Sequence, residues 1–134
     1  LEYGFDRDAL YLRVDAASPE LLTRPGSILG VEFLRPAGLR LRLPLERGVL
    51  KPDLSVRDAD AVQPLDFLGL RAAAGSVVEI RIPLGCLGLD PGESVELRLI
   101  LQAGAAEELV RYPRLGPISL EIPTPGSAAW HWTA

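Results

Sequence analysis

Apolar and polar residues alternate along most of this chain. In "ALYLRVD", Leu10, Leu12 and Val14 share one side, and Tyr11, Arg13 and Asp15 the other. The same period of two runs through "LGVEF", where Leu29, Val31 and Phe33 align, and through "LRLRLPL", where Leu39, Leu41, Leu43 and Leu45 oppose Arg40 and Arg42. It returns in "VEIRI" with Val78, Ile80 and Ile82, in "VELRLIL" with Val95, Leu97, Leu99 and Leu101, and in "ISLEI" with Ile118, Leu120 and Ile122. A period of two marks strands with one face buried and one face wet.

Turn chemistry separates these runs. "FDRDA" predicts a short hairpin between "LEYGF" and "ALYLRVD". "RPGS" at Arg24, "RPAG" at Arg35, "DPGE" at Asp90 and "TPGS" at Thr124 place Pro where a fixed φ helps and Gly where a positive φ is needed. Helical pattern is confined to "SPELLTR" (residues 18–24) and "PLGCLGL" after Ile82, each good for about one turn. Residues 49–61, "VLKPDLSVRDADA", have the weakest period and read as loop.

Seven to nine short strands, each with one apolar face, need a second layer to cover that face. Two antiparallel sheets packed face to face supply it. The pattern therefore predicts an all-β, two-sheet antiparallel β-sandwich with one or two short helical turns and a single domain over residues 1–134. The outward positions Arg13, Glu32, Arg40, Arg42, Glu79, Arg81, Glu96, Arg98 and Glu121 carry charges of mixed sign. Such a face is solvated and discourages edge-to-edge association.

Composition narrows the function classes. The 134 residues suit one core, and 48% are hydrophobic. Net charge is −4, and the arginines alternate with apolar residues instead of forming a block. No basic surface of the kind that neutralises phosphates along a nucleic acid is visible. No run reaches the length of a membrane span. Gly and Pro, 13 and 12 residues, exceed average usage and fit many short strands. Cys86 is the only Cys, so no internal disulfide forms, and a reducing, cytoplasmic compartment is expected. The chain holds no Met, even at position 1, which predicts a domain excised from a longer chain.

No catalytic constellation is legible. His131 is the only His, and a His-based triad would rest on that one residue near the end of the chain. No nucleophile elbow and no phosphate-binding Gly loop occur. One Cys and one His fall short of a zinc site. Asp53, Asp58 and Asp60 group in "DLSVRDAD", where a solvated acidic segment stands against a calcium site, and the spacing departs from an EF-hand loop. Cys86, in an apolar turn, reads as a small buried side chain. No catalytic residue, metal ligand or cofactor site is therefore assigned.

Aromatic residues carry the binding question, because sugar rings stack their C–H faces on exposed aromatic rings. Tyr11 is the one aromatic on an outward strand face in the alternation above. In "WHW", an extended chain puts Trp130 and Trp132 on one side. The pair either platforms a sugar or closes the end of the core. Tyr3 and Tyr112 are expected to plug the sandwich.

Three segments carry a resemblance. "YGFDRDALYLRVD" resembles the opening of β-sandwich domains of the type 9 carbohydrate-binding and DOMON-like group. "EIRIPLGCLGLDPGESVELRLIL" is similar to their strand, Pro-Gly turn, strand unit. The opening, "RYPRLGPISLEIPT" and a terminal Trp resemble the C-terminal region of bacterial family 57 glycoside hydrolases, which are retaining enzymes acting on α-glucans. The resemblance implies a jelly-roll-like sandwich that follows a catalytic barrel, with the catalytic carboxylates on that barrel and none here. It implies a non-catalytic accessory domain whose main partner is the catalytic domain of the parent chain. Two alternatives stay open. One is a carbohydrate-binding module that holds an α-glucan oligosaccharide through Trp130, Trp132 and Tyr11. The other is a protein-interaction sandwich with no connection to sugars.

Overall fold

A computed structural model describes residues 1–15, 22, 24–46, 48–103 and 108–125, with the backbone alone for 103, 108 and 109. Among these residues twelve strands build two sheets. The smaller contains β1 (Glu2–Phe5), β2 (Ala9–Val14), β5 (Gly48–Leu50), β8 (Arg71–Ala74) and β9 (Val78–Pro83), in the order β1-β2-β9-β8-β5. The larger contains β3 (Ile28–Arg35), β4 (Leu39–Pro44), β6 (Asp53–Asp58), β7 (Ala61–Leu65), β10 (Ser94–Ala103), β11 (Glu108–Tyr112) and β12 (Ile118–Glu121). Its order is β11-β10-β3-β4-β6-β7, with β12 paired to β10 beyond the end of β11. Every pairing is antiparallel. The chain passes back and forth between the sheets, and the two-sheet sandwich predicted from the alternation is what forms.

The register explains why the pattern specifies this arrangement. Leu99, Val31, Leu41 and Leu54 lie opposite one another across β10, β3, β4 and β6. Their side chains make one inward row, and all four are buried. Leu12 and Ile80 do the same across β2 and β9 of the smaller sheet. Slipping any of these strands by one residue would turn its whole apolar set outward, so burial fixes the register. The two inward faces join in one continuous cluster running from Phe5 to Ile122. Ser27 is the one buried polar residue recorded among the described residues.

Turns behave as their chemistry predicts. Gly38 of "RPAG" has φ of +82°, and a Cβ there would sit 2.5 Å from the Arg57 carbonyl oxygen. Only Gly fits that approach. "PLGCLGL" forms the helical turn α1 (Leu84–Leu87), closed by Gly88 at φ +61°. Most of "SPELLTR" lies outside the described residues; its Leu22 is helical and buried.

Two expectations are corrected. Residues 49–61 are no loop: they contribute to β5, form β6 and enter β7. Only Leu54 of β6 is buried, and β7 has four of its five residues exposed, so no period of two shows. These strands lie at or near the margin of their sheets, where pairing comes from backbone hydrogen bonds and the side chains stay wet. Tyr112 does not plug the sandwich, since it is 52% exposed on β11. Tyr3 does pack against the core, with its ring edge-on to Phe5 at a centroid distance of 6.4 Å.

Candidate functional site

Tyr11 sits where the alternation places it, on the outer face of the smaller sheet. The β1–β2 hairpin prepares its surroundings. Asp6 Oδ1 accepts from the backbone N–H groups of Asp8 and Ala9, both at 2.8 Å, which ties the "FDRDA" turn. Its other oxygen, Oδ2, accepts from the Tyr11 hydroxyl at 2.7 Å. From the facing strand, Arg81 Nε donates to the same hydroxyl at 3.3 Å. Tyr11 and Arg81 are direct cross-strand partners of β2 and β9. The Arg81 guanidinium carbon lies 6.0 Å from the centroid of the Tyr11 ring, within cation–π range. Arg81 Nη1 then donates to the Gly69 carbonyl at 2.9 Å, fastening the β7–β8 connection to the sheet.

The charges in this group are fixed. Partial burial of Asp6 works to raise its pKa, but the Tyr11 hydroxyl and the two backbone N–H donors outweigh it. The net shift is downward from the ordinary 3.8, so Asp6 is ionised at neutral pH and is a weak base. The group orients side chains; it offers no activated nucleophile and no poised general base.

Beside Tyr11 the sheet surface dips into an open hollow of about 380 Å³. Ala73 lies at its floor, Val49 adds an apolar side, and Arg71, Glu79 and Arg81 supply polar sides. Val49 is 83% exposed. The small side chain of Ala73 makes the dip, because its neighbours on either strand are longer. The Tyr11 ring itself is half-buried with Arg81 lying over it, so it is one wall of the hollow rather than a bare platform.

Trp130 and Trp132 lie outside the described residues. Asp53 and Asp58 occupy the two ends of β6, roughly 17 Å apart for an extended strand of that length. Asp60 is in the turn that follows. Among the described residues no three of His, Cys, Asp and Glu gather as a metal would require. Cys86 is buried, and that burial pushes its thiol up to about 11. No described helix is long and apolar enough to cross a membrane.

The partners of Tyr11 were not singled out in the sequence. Arg81 is 70 positions away from Tyr11, and only the β2–β9 register joins them. Asp6 had a local signal, since an Asp in a turn often accepts from the backbone N–H two residues on, here Asp8. Comparison with family models, characterised proteins and solved structures returned no match to this chain.

Proposed function

We propose that this chain is a non-catalytic accessory β-sandwich domain that packs against the catalytic domain of an α-glucan-processing glycoside hydrolase in the cytoplasm. One structural observation supports packing onto a neighbour. Val110 and Tyr112 on β11 are paired with Leu101 and Leu99, which are buried at 8% and 4% exposure. They stand in core register, yet they are 41% and 52% exposed. Leu115, in the turn that follows β11, is 91% exposed. An edge strand with core-facing side chains left open is a surface suited to a covering partner. The glycan connection rests on the resemblance of the opening and closing segments.

The test is amide hydrogen exchange on this chain alone and on the complete polypeptide that contains it. Protection of Glu108–Tyr112 is expected to rise in the complete polypeptide. Equal exchange in both, or a polypeptide with no glycoside-hydrolase barrel, overturns the proposal.

A second reading, sugar binding, is favoured by the apolar-floored hollow beside Tyr11. Titration with maltooligosaccharides is expected to perturb amide signals of β2, β8 and β9 in that case, and Tyr11→Ala to remove the response. No perturbation at millimolar sugar would leave the packing role alone.

A further inference from the structure

The outer face of the larger sheet contains a glycine that the fold does not need. Gly30 lies in the middle of β3, between β10 and β4, opposite Ile100 and Arg42. Its φ is not in the left-handed region. A Cβ built on it would meet the Ile100 and Leu41 carbonyl oxygens at 3.5 and 3.9 Å and the Ile100 Cβ at 4.0 Å, all ordinary contacts. A Cβ is accommodated there, and a side chain would strengthen the strand, since Gly weakens a strand interior. A glycine in a strand interior that needs neither a positive φ nor a close Cβ contact leaves the backbone open to close approach, one of the uses to which strand glycines are put.

The surroundings of Gly30 point to what approaches. Its missing side chain opens a hollow of about 500 Å³ over β3, wide enough for a molecule of monosaccharide size. Arg42 and Arg111 reach its lining from β4 and β11, on opposite sides of Gly30. Neither forms an ion pair or hydrogen bond with a described residue. Asp53, the neighbour of Arg42 on β6, is not in ion-pair contact with it. The acid of the hollow, Glu32, is already engaged: Arg40 holds Oε1 at 2.5 Å and Arg98 holds Oε2 at 2.8 Å. Gln102 adds an amide at the rim, and Ile100 an apolar wall. Two guanidinium groups with no partner among the described residues, flanking bare backbone in a protein of net charge −4, concentrate positive potential at one spot.

We infer that this hollow binds a small ligand bearing an oxyanion, a carboxylate or a phosphate ester, with the charged group held between Arg42 and Arg111 and the body of the ligand resting on the Gly30 backbone. Guanidinium forks match planar carboxylate and phosphate oxygens in both geometry and charge. The site lies on the opposite sheet from Tyr11 and stands independently of the packing and neutral-sugar readings above.

Amide and arginine Nε–Hε NMR signals of the full chain, titrated with inorganic phosphate, glucose 6-phosphate, glucuronate and glucose at constant ionic strength, test it. Saturable shifts are expected at Gly30, Arg42, Ile100 and Arg111 with the anions, at millimolar or tighter affinity, and none with glucose. Preference for glucose 6-phosphate or for glucuronate then names the oxyanion source. Arg42→Gln and Arg111→Gln should each weaken binding about tenfold. Gly30→Val should abolish binding while the melting temperature holds or rises, and Gly30→Ala should weaken it in the same direction if the valine variant folds poorly. Equal shifts with glucose, shifts spread evenly over all arginines, no saturation, or unchanged affinity in the Arg42 and Arg111 variants would each overturn the inference.

Discussion

Arg81 lies over Tyr11, its guanidinium carbon 6.0 Å from the ring centroid and its Nε directed at the phenolic oxygen. The same side chain reaches the Gly69 carbonyl, so one residue joins β2, β9 and the β7–β8 connection. Tyr11→Phe removes the hydroxyl that bridges Asp6 and Arg81, and is expected to cost about 1 kcal/mol. Arg81→Ala removes the fork as well and should cost more. Urea unfolding of the three proteins checks the order. An unchanged midpoint for both variants would show that the bridge contributes nothing.

Burial is unevenly distributed among the leucines, and stability should follow it. Leu41 is fully buried in the inward row of the larger sheet, whereas Leu68 is fully exposed. Leu41→Ala should destabilise by about 3 kcal/mol, from lost transfer energy and the cavity left behind. Leu68→Ala should stay within roughly 0.5 kcal/mol. Comparable losses at both positions would mean that the core is misplaced.

Acid should weaken the larger sheet through Glu32. Partial burial of this carboxyl works to raise its pKa, but hydrogen bonds and attraction from Arg40 and Arg98 prevail. Its folded pKa is therefore below the ordinary 4.5. A depressed carboxyl contributes stability that is present above its unfolded pKa and is lost as pH falls through the folded value. Stability should hold above pH 4.5 and decline below it. Glu32→Gln should be less stable than the parent at neutral pH and show a shallower decline in acid. A Gln variant with the parent's acid profile would remove Glu32 from this role.

Cys86 gives a chemical reading of the core. Its thiol is buried and raised to about 11, so thiolate is scarce near neutral pH. Maleimide should label it slowly in the native protein and rapidly in denaturant. Fast native labelling would contradict the burial of α1.

Legibility followed the sheet position of each strand. Leu39, Leu41 and Leu43 against Arg40 and Arg42 could be read directly, because β4 lies inside a sheet with one face covered and one wet. Asp53 to Leu65 could not, because β6 and β7 sit at the margin and send almost nothing but Leu54 and Leu65 toward the core. Tyr112 departs from its expected place for a related reason, since period alone does not say where the covering sheet stops. Outward-facing Tyr11 was legible as a local property of "ALYLRVD". Its link to Arg81, and the flanking of Gly30 by Arg42 and Arg111, depend on register between distant strands. Alternation sets which face a residue takes; only pairing says which residue stands beside it.

Two sheets close on one shared leucine-rich core, which leaves chemistry to the outer faces of the described residues. Residue-resolved native-state hydrogen exchange tests it most directly. The slowest amides should lie on β2 and β9 of one sheet and on β3, β4 and β10 of the other, and should open together in a single cooperative step. Protection confined to one sheet, or two sheets opening at clearly different free energies, would contradict a shared core.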